Sequence, residues 1–288
     1  MRRRHTHPQA TETPLRPHQM HRMLNGPGRA PSGGKPRREY IVILHADEDV
    51  VVIDKPAGLP VVPERHARGE TVLSVLCETI GELTPDSLRV VHRLDRDTSG
   101  VMVLARNAGA QRALTAQFVD RAVSKTYLAL VRGSPDEGSG RIDAPISPAR
   151  GQTVKVDFNP RQGKPAVTEW ELVERFAGYS LLRCRPLTGR QHQIRLHLQL
   201  AGMPLAVDPT YGGSTALLLS SFKTDYRPPR RHEERPLLSR VSLHAESLEF
   251  EHPCTKQRVR WEAPLPKDFR ATLNQLRKHA AVGPPPAR

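Results

Sequence analysis

The sequence predicts an α+β domain built on a largely antiparallel, mixed β-sheet with flanking helices. Two observations carry this prediction: strand-like segments follow one another along most of the chain, and only a few helical patterns interrupt them. A parallel doubly wound sheet would instead require a regular alternation of strand and helix. The segments with strand character are 40–44, 50–53, 88–94, 101–104, 125–131, 153–158, 167–173, 179–185, 241–250 and 257–261.

Apolar residues at helical spacing mark the remaining elements. They predict helices over 71–79, 108–118 and 267–278. The segment 194–201 is ambiguous, because its apolar residues fit either an alternating strand or one helical face. Few of its residues are β-branched, and Gly202 followed by Pro204 is typical of a helix end, so a helix is favoured.

The charge of the chain is uneven and points to a polyanionic partner. Lys and Arg number 44 against 30 Asp and Glu, and residues 1–38 contain nine of the basic residues, six prolines and one acid. Such a segment buries too little apolar surface to fold, so it is predicted to be a disordered basic tail. It either adds attraction to phosphates or is only a solubilising extension. The predicted organisation is this tail, a folded domain over 39–279 with a surface insertion at about 213–237, and a C-terminal tail over 280–288.

Composition argues against several classes of protein. No apolar run approaches the roughly 18 residues of a membrane span, and the basic N-terminus has no apolar segment behind it, so a secretory signal is not predicted. Cys77, Cys184 and Cys254 lie far apart and form no CxxC pair, which disfavours a disulfide framework and a thiolate zinc site. The sequence therefore predicts a soluble cytoplasmic protein.

The segment His92–Gly100 (HRLDRDTSG) places two carboxylates, Asp95 and Asp97, among turn-forming residues between apolar strands. Loops held by a rigid sheet often carry catalytic groups, but a solvated hairpin turn explains the same residues. A paired-carboxylate glycosidase is disfavoured, because carbohydrate sites use aromatic platforms and this chain has 5% aromatic residues and two tryptophans. Taken alone, the motif leaves the turn and the catalytic site open.

A second segment, Gly189–His197 (GRQHQIRLH), combines two arginines with two histidines. His192 and His197 are five residues apart, which does not fit the i, i+4 spacing of a helical zinc pair, and the glutamate of HExxH is missing. Arg190 and Arg195 are explained equally by a solvated helix face. This segment alone decides neither interpretation.

Together, HRLDRDTSG and GRQHQIRLH resemble the motifs of the RluA-type pseudouridine synthase family. Three further segments agree and follow in the family's order: KPAG at 55–58, KTY at 125–127 and LHA at 243–245. The resemblance spans roughly residues 40–270 and implies the pseudouridine synthase fold with a central RNA-binding cleft. The chain departs from the family at Gln191, where Thr or Ser is usual, and has the basic tail where many relatives carry a small RNA-binding domain.

The resemblance implies an isomerase that breaks the N1–C1′ bond of uridine in RNA, turns the base and joins C5 to C1′ without a cofactor or metal. It assigns the catalytic carboxylate to Asp95, which either adds to the substrate or removes a sugar proton. A carboxylate that loses hydration needs a positive charge nearby, and the family arginine, Arg195, is the expected partner. The resemblance further implies Tyr127 stacked on the base, Ile194 on the pocket wall, Arg93 as a wedge beside the flipped nucleotide, Lys55 on phosphates and Arg190 as a weaker RNA contact.

Three functions follow for comparison. The first is the synthase, acting on ribosomal or transfer RNA as a monomer. The second is a catalytically silent RNA-binding module on the same fold, which the intact Asp95 disfavours. The third is a remote carbohydrate hydrolase. His92 and His197 are expected to be structural hydrogen-bonding groups in each case.

Overall fold

The computed structural model of the protein describes residues 41–63, 69–80, 84–147, 154–159, 161–227 and 233–282. The predicted basic tail over 1–38 lies outside these ranges, as do residues 283–288. The predicted domain limits and the insertion at about 213–237 stay predictions. In the described part of the chain, no helix is long and apolar enough to cross a membrane.

Ten strands of the described chain form one mixed sheet. The strands are β1 (Val42–Ala46), β2 (Val50–Lys55), β3 (Arg89–Val90), β4 (Ser99–Ala105), β5 (Ser124–Arg132), β6 (Ser139–Asp143), β7 (Val167–Phe176), β8 (Tyr179–Pro186), β9 (Leu243–Glu251) and β10 (Arg258–Glu262). Their order is β1-β2-β4-β9-β5-β8-β7-β6, with β3 paired to β4 and β10 paired to β9. All described strand pairs are antiparallel except β4 with β9. The predicted α+β class with a largely antiparallel sheet is confirmed.

In the described part of the chain, four helices accompany the sheet, and local capping signals set where the first two begin. α1 (Val72–Thr79) follows Thr71, which forms a capping box with Ser74. α2 (Ala108–Val119) follows Asn107, whose side chain accepts a hydrogen bond from a backbone N–H of the first turn. The other helices are α3 (Gln193–Leu200) and α4 (Lys267–His279), and 3₁₀ turns occupy Pro85–Ser87 and Leu219–Ser221.

The centre of the sheet is apolar on both faces, which explains why β2 and β4 contain continuous apolar runs. Residues 50–53 and 101–105 are all buried, whereas β6 and β10 alternate exposed and partly buried positions, as expected for edge strands. Fully burying a Val, Leu or Ile side chain stabilises the fold by about 1.5–3 kcal/mol. β2 and β4 therefore form a rigid frame for the loop that precedes β4.

The parallel contact between β4 and β9 requires a glycine. Ser99–Gly100 pairs with His244–Ala245, and Gly100 has a φ of +118°. A Cβ built on Gly100 would lie 2.2 Å from the carbonyl oxygen of Ala245, so the two backbones approach each other more closely than any side chain allows. This approach joins the HRLDRDTSG and LHA motifs.

We expect Gly100→Ala to lower the free energy of unfolding by about 3 kcal/mol or more, because the added methyl group overlaps backbone atoms that cannot move aside. Gly178→Ala is the matched control: Gly178 also has a positive φ, +75°, but a Cβ there meets nothing within 4 Å. The control should lose only the about 1–2 kcal/mol of a left-handed backbone. Urea denaturation compares the two variants with the wild type, and equal losses would contradict the close approach at Gly100.

Two strand predictions need correction, and one strand was missed. The described part of 153–158 is not a strand, since Val156 makes only an isolated bridge to Ile146. In 88–94 only two residues pair, because residues 91–94 leave the sheet and line a cavity. β6 was not predicted, because its sequence SGRID contains a single large apolar residue and shows no alternation.

The ambiguous segment after Gly189 does contain a helix, but α3 begins only at Gln193. Residues 193–198 are all buried, including Arg195 and His197. The interpretation of Arg195 as part of a solvated helix face is therefore wrong. A buried arginine needs hydrogen-bond and charge partners, and the structure supplies them in the cavity.

Candidate active site

A cavity of about 580 Å³ lies beside the junction of β4 and β9. This volume falls within the roughly 300–1,000 Å³ that is usual for ligand sites. Residues 91–95 and 98, the end of α2 with the turn after it, the start of β5, and residues 186–195 line the cavity. The two sequence motifs, whose key residues Asp95 and Arg195 are 100 positions apart, therefore face the same space.

Asp95 and Arg195 form an ion pair inside the cavity. Arg195 Nη1 donates to Asp95 Oδ2 at 3.2 Å, and the two side chains are 7% and 21% exposed for Arg195 and Asp95, respectively. The predicted contact within about 4 Å is confirmed. Asp95 sits in a turn closed by a hydrogen bond from the Thr98 N–H to its carbonyl, so its carboxylate is presented by a fixed backbone.

Asp208 is a site residue that the sequence interpretation missed. Its two carboxylate oxygens accept hydrogen bonds from Arg195 Nε and Nη2 at 2.7 and 2.8 Å, a bidentate pair that fixes the plane of the guanidinium. Asp208 also accepts the backbone N–H groups of Thr210 and Tyr211. Burial by itself would lower the pKa of Arg195, but its bonds to Asp208 and the charge of Asp95 raise it. Arg195 is therefore a permanent cation held between two carboxylates.

His192 and Tyr211 complete the polar wall around the ion pair. His192 has a left-handed backbone with φ +53°; its Nδ1 lies 2.9 Å from the Tyr211 hydroxyl and its Nε2 lies 3.8 Å from Asp95 Oδ1. Burial lowers the pKa of His192, the charge of Asp95 opposes this shift, and the charge of Arg195 adds to it, which favours the neutral ring. The Arg195 guanidinium lies 5.1 Å from the centre of the Tyr211 ring, in a cation–π contact.

Tyr127 and Ile194 both reach the cavity. Tyr127 stands at a β-bulge of β5, where the pairing with β9 shifts between Thr126 and Tyr127; a bulge re-aims a strand side chain. Burial raises the pKa of the Tyr127 hydroxyl, and the negative charge of Asp95 raises it further. The site thus offers an aromatic ring with a protonated hydroxyl beside the Asp95 carboxylate.

The Lys55 side chain is not exposed at the protein surface. Its predicted role on RNA phosphates is therefore wrong. The residue is 0% exposed, and its Nζ donates to the carbonyls of Pro56, Leu59 and Arg96 at 2.8, 2.8 and 2.9 Å. These three acceptors use all three ammonium donors. Burial lowers the pKa of Lys55 to about 7. Lys55 instead holds the backbone next to Asp95 and so links the KPAG segment to the loop that carries Asp95.

Gln193 organises the loop between β8 and α3. Its Oε1 accepts hydrogen bonds from the Thr188 hydroxyl at 2.7 Å and the Arg190 N–H at 3.0 Å, and its Nε2 donates to the Val167 carbonyl and the Thr168 hydroxyl. The amide thereby uses two donors and two acceptor positions. The sequence interpretation assigned no role to Gln193, because a glutamine at the start of a helix carries no signal of burial in the sequence.

The basic side chains at the cavity mouth include Arg93, Arg190 and Lys125. Arg93 is exposed and makes no ion pair with a described residue, Arg190 is half-buried with its Nε on the Pro165 carbonyl at 3.2 Å, and Lys125 is half-buried with its Nζ 3.4 Å from the Thr188 carbonyl. Burial lowers the pKa of Lys125. Gln191, the departure from the family pattern, is exposed. The mouth therefore carries positive charge that the described carboxylates do not neutralise.

His92 and His197 are structural groups, as predicted. His92 Nε2 accepts the Val103 N–H at 3.0 Å, and its ring stacks on Phe118 with centroids 4.6 Å apart. Burial and the nearby Lys125 lower the pKa of His92 to about 3. His197 is held by the Thr168 hydroxyl and a backbone carbonyl, each at 2.9 Å. Both rings are therefore fixed in hydrogen bonds.

One cluster with metal-ligating side chains occurs among the described residues, and it does not line the cavity. Asp47 Oδ2 lies 2.9 Å from the Nε2 atoms of both His45 and His252. His252 Nδ1 accepts the backbone N–H groups of Cys254 and Thr255, so the neutral ring carries its proton on Nε2. This tautomer donates to Asp47 and has no Nε2 lone pair for a metal.

Comparison with known proteins supports one family throughout. A family model described as RNA pseudouridylate synthase matches residues 49–200. The chain is 39% identical over 244 residues to ribosomal large subunit pseudouridine synthase D of Pseudomonas aeruginosa, covering 84% of this chain and 74% of that protein. It is 37% identical over 243 residues to ribosomal large subunit pseudouridine synthase C of Escherichia coli, covering 82% of this chain and 70% of that protein.

Solved structures agree with the sequence comparison. Human RNA pseudouridylate synthase domain containing 4 superposes with a TM-score of 0.62 at 27% identity, over 82% of this chain and 93% of that chain. Human RNA pseudouridylate synthase domain containing 1 gives a TM-score of 0.60 at 25% identity, over 81% and 87%. The chain belongs to the RNA pseudouridylate synthase family and is an isomerase that converts uridine in RNA to pseudouridine.

Proposed function

We propose that Asp95 is the carboxylate that reacts with the target uridine and that Arg195 keeps it ionised. The observation that carries this proposal is the chain of contacts Asp95–Arg195–Asp208 at the wall of a nucleoside-sized cavity. A carboxylate at the surface needs no such support, because water stabilises its charge. A guanidinium fixed by a second, buried carboxylate instead supplies a positive charge of set position to a partly desolvated Asp95.

The reaction requires cleavage of the N1–C1′ bond, rotation of the uracil and formation of the C5–C1′ bond, with loss of the C5 proton. Asp95 either adds covalently to the substrate or removes a proton from the sugar, and both routes begin from the ionised form. Tyr127 supplies a flat surface for the uracil, and Ile194 bounds the cavity on the side of α3. We propose no cofactor or metal, because the isomerisation involves no net oxidation or reduction.

The target nucleotide must leave its helix or loop to reach the cavity. Arg93 lies at the mouth, two residues before Asp95, and its guanidinium can stack on the bases that the extruded uridine leaves behind. Arg190 is placed to contact a phosphate of the same strand. The basic tail over 1–38 is retained in the proposal as a sequence-independent attraction to RNA.

We further propose ribosomal RNA as the substrate, with the protein acting as a cytoplasmic monomer. The support is that the bacterial relatives with 37–39% identity are named for the large ribosomal subunit. Transfer RNA is the alternative.

Pseudouridine mapping of all stable RNAs, in cells with and without the protein, tests the substrate. We expect one or a few sites in large-subunit ribosomal RNA to disappear in the deletion strain and to return with the wild-type gene. Loss confined to transfer RNA would overturn the ribosomal assignment. An unchanged map, together with no turnover of total RNA by the purified protein, would contradict the proposed function itself.

A further inference from the structure

Two exposed apolar side chains stand at the mouth of the active cavity. Val119, the last residue of α2, is 72% exposed, and Leu187, the first residue after β8, is 40% exposed. Both line the cavity, whereas the other large apolar residues that are exposed in the described structure do not. Exposed apolar residues scattered singly need no explanation, but a pair on the rim of one cavity does.

Fixed backbone holds each of these side chains in place. At the end of α2 the Ala122 N–H donates to the Gln117 carbonyl at 2.9 Å, and Arg121 between them adopts φ +59°, a conformation for which helix ends usually use glycine. Leu187 is fixed by its N–H on the Val167 carbonyl at 2.9 Å. Val119 and Leu187, called the lip residues below, are therefore held in their exposed positions by ordered turns.

The strain at Arg121 points to a use for its side chain. Of the three described non-glycine residues with positive φ, two, Arg121 and His192, line the cavity. Strained backbone persists where the surrounding structure fixes it and is concentrated at functional sites. Arg121 makes no ion pair with a described residue, unlike Arg183, Arg258 and Arg277, which pair with glutamates. An unpaired guanidinium beside two exposed apolar residues complements an anionic strand that has unstacked bases.

We propose that Val119 and Leu187 contact the bases that flank the target uridine and hold them unstacked, while Arg121 binds a phosphate of the same strand. The proposal rests on the proposed RNA isomerisation. Extruding one nucleotide leaves unstacked neighbours, and apolar side chains inserted at a base step stabilise such an opened stack. The lips sit on two different segments, the end of α2 and the end of β8, so they can contact bases on both sides of the extruded nucleotide.

The test uses a hairpin of the mapped substrate RNA with 2-aminopurine next to the target uridine, since its fluorescence rises when the base unstacks. Val119→Ser and Leu187→Ser are compared with Val173→Ser and Leu200→Ser, two apolar positions away from the cavity that are 41% and 52% exposed. We expect each lip variant to reduce the fluorescence rise and to weaken binding by about fivefold or more, with an unchanged slope of log K against log salt. The controls should match the wild type.

Arg121→Gln should behave differently, since it removes a phosphate contact. Its slope of log K against log salt should fall by about 0.7–0.9, while the fluorescence rise of the bound RNA persists. If the lip variants match the controls in fluorescence and affinity while the wild type forms pseudouridine, the base contacts are contradicted and the proposed function stands. If the wild type neither binds nor modifies the RNA, the proposed function fails and the inference fails with it.

Discussion

Asp95→Asn is expected to abolish pseudouridine formation while changing RNA affinity by less than about tenfold, or ~1.4 kcal/mol. Asparagine keeps the size and one carbonyl acceptor for Arg195, but it can neither add to the substrate as a carboxylate nor take up a proton. Arg195 remains paired with Asp208, so the cavity should keep its shape. Tritium release from uracil C5, measured with purified variant and substrate RNA, gives the activity.

Asp97→Asn is the matched control for this experiment. It makes the same chemical change two residues away in the same loop, and Asp97 does not line the cavity. We expect this variant to keep most of the wild-type rate. Turnover near the wild-type rate with Asp95→Asn would end the assignment of Asp95, and an equal loss in both variants would indicate damage to the loop instead of loss of the reacting group.

Arg195→Met is expected to remove nearly all activity and to destabilise the fold. The guanidinium lies between Asp95 and Asp208, and methionine leaves Asp208, whose side chain is 1% exposed, without its cation. Removing one partner of a buried ion pair costs about 3–5 kcal/mol. Activity that this variant retains should need a higher pH, because a carboxylate that has lost a neighbouring cation holds its proton to higher pH.

Two further variants separate the catalytic effect of Arg195 from its effect on stability. Adding Asp208→Asn to Arg195→Met removes the unpaired buried charge, so the free energy of unfolding should recover while activity stays low. Arg195→Lys keeps a positive charge but loses the bidentate contact, so it should retain partial activity. Urea denaturation and pH–rate profiles measure both properties. A double variant that regains full activity, or an unchanged pH–rate profile in an active Met variant, would remove this pair from the mechanism.

The local residue pattern was sufficient to predict those strands and helices whose own residues show a clear periodicity or cap. The apolar runs at 50–53 and 101–104 were found because a strand buried on both faces needs apolar residues throughout. The helices α1, α2 and α4 were found within two residues of their ends, because apolar spacing and capping residues are properties of adjacent positions. Strand β6 was missed because its sequence carries no such local signal: an edge strand needs little apolar alternation.

The ordered motifs also predicted the contact between Asp95 and Arg195, through family resemblance and the need of a desolvated carboxylate for a cation. The spacing of residues alone left Arg195 open as part of a solvated helix face. The roles of Asp208 and Tyr211 had no comparable signal, because an acid and an aromatic residue in a loop have many uses.

The sequence by itself determined the α+β class, most of the elements and the motifs that carry the chemistry. Only the tertiary structure decided that Lys55 is buried on three carbonyls instead of facing RNA, that Asp208 fixes Arg195, and that Val119 and Leu187 stand at the cavity mouth. The physical reason is the sequence distance over which each property is set: periodicity, capping and turn propensity depend on neighbours along the chain. The charge, hydrogen bonding and exposure of a side chain depend on groups that arrive from distant segments when the sheet forms.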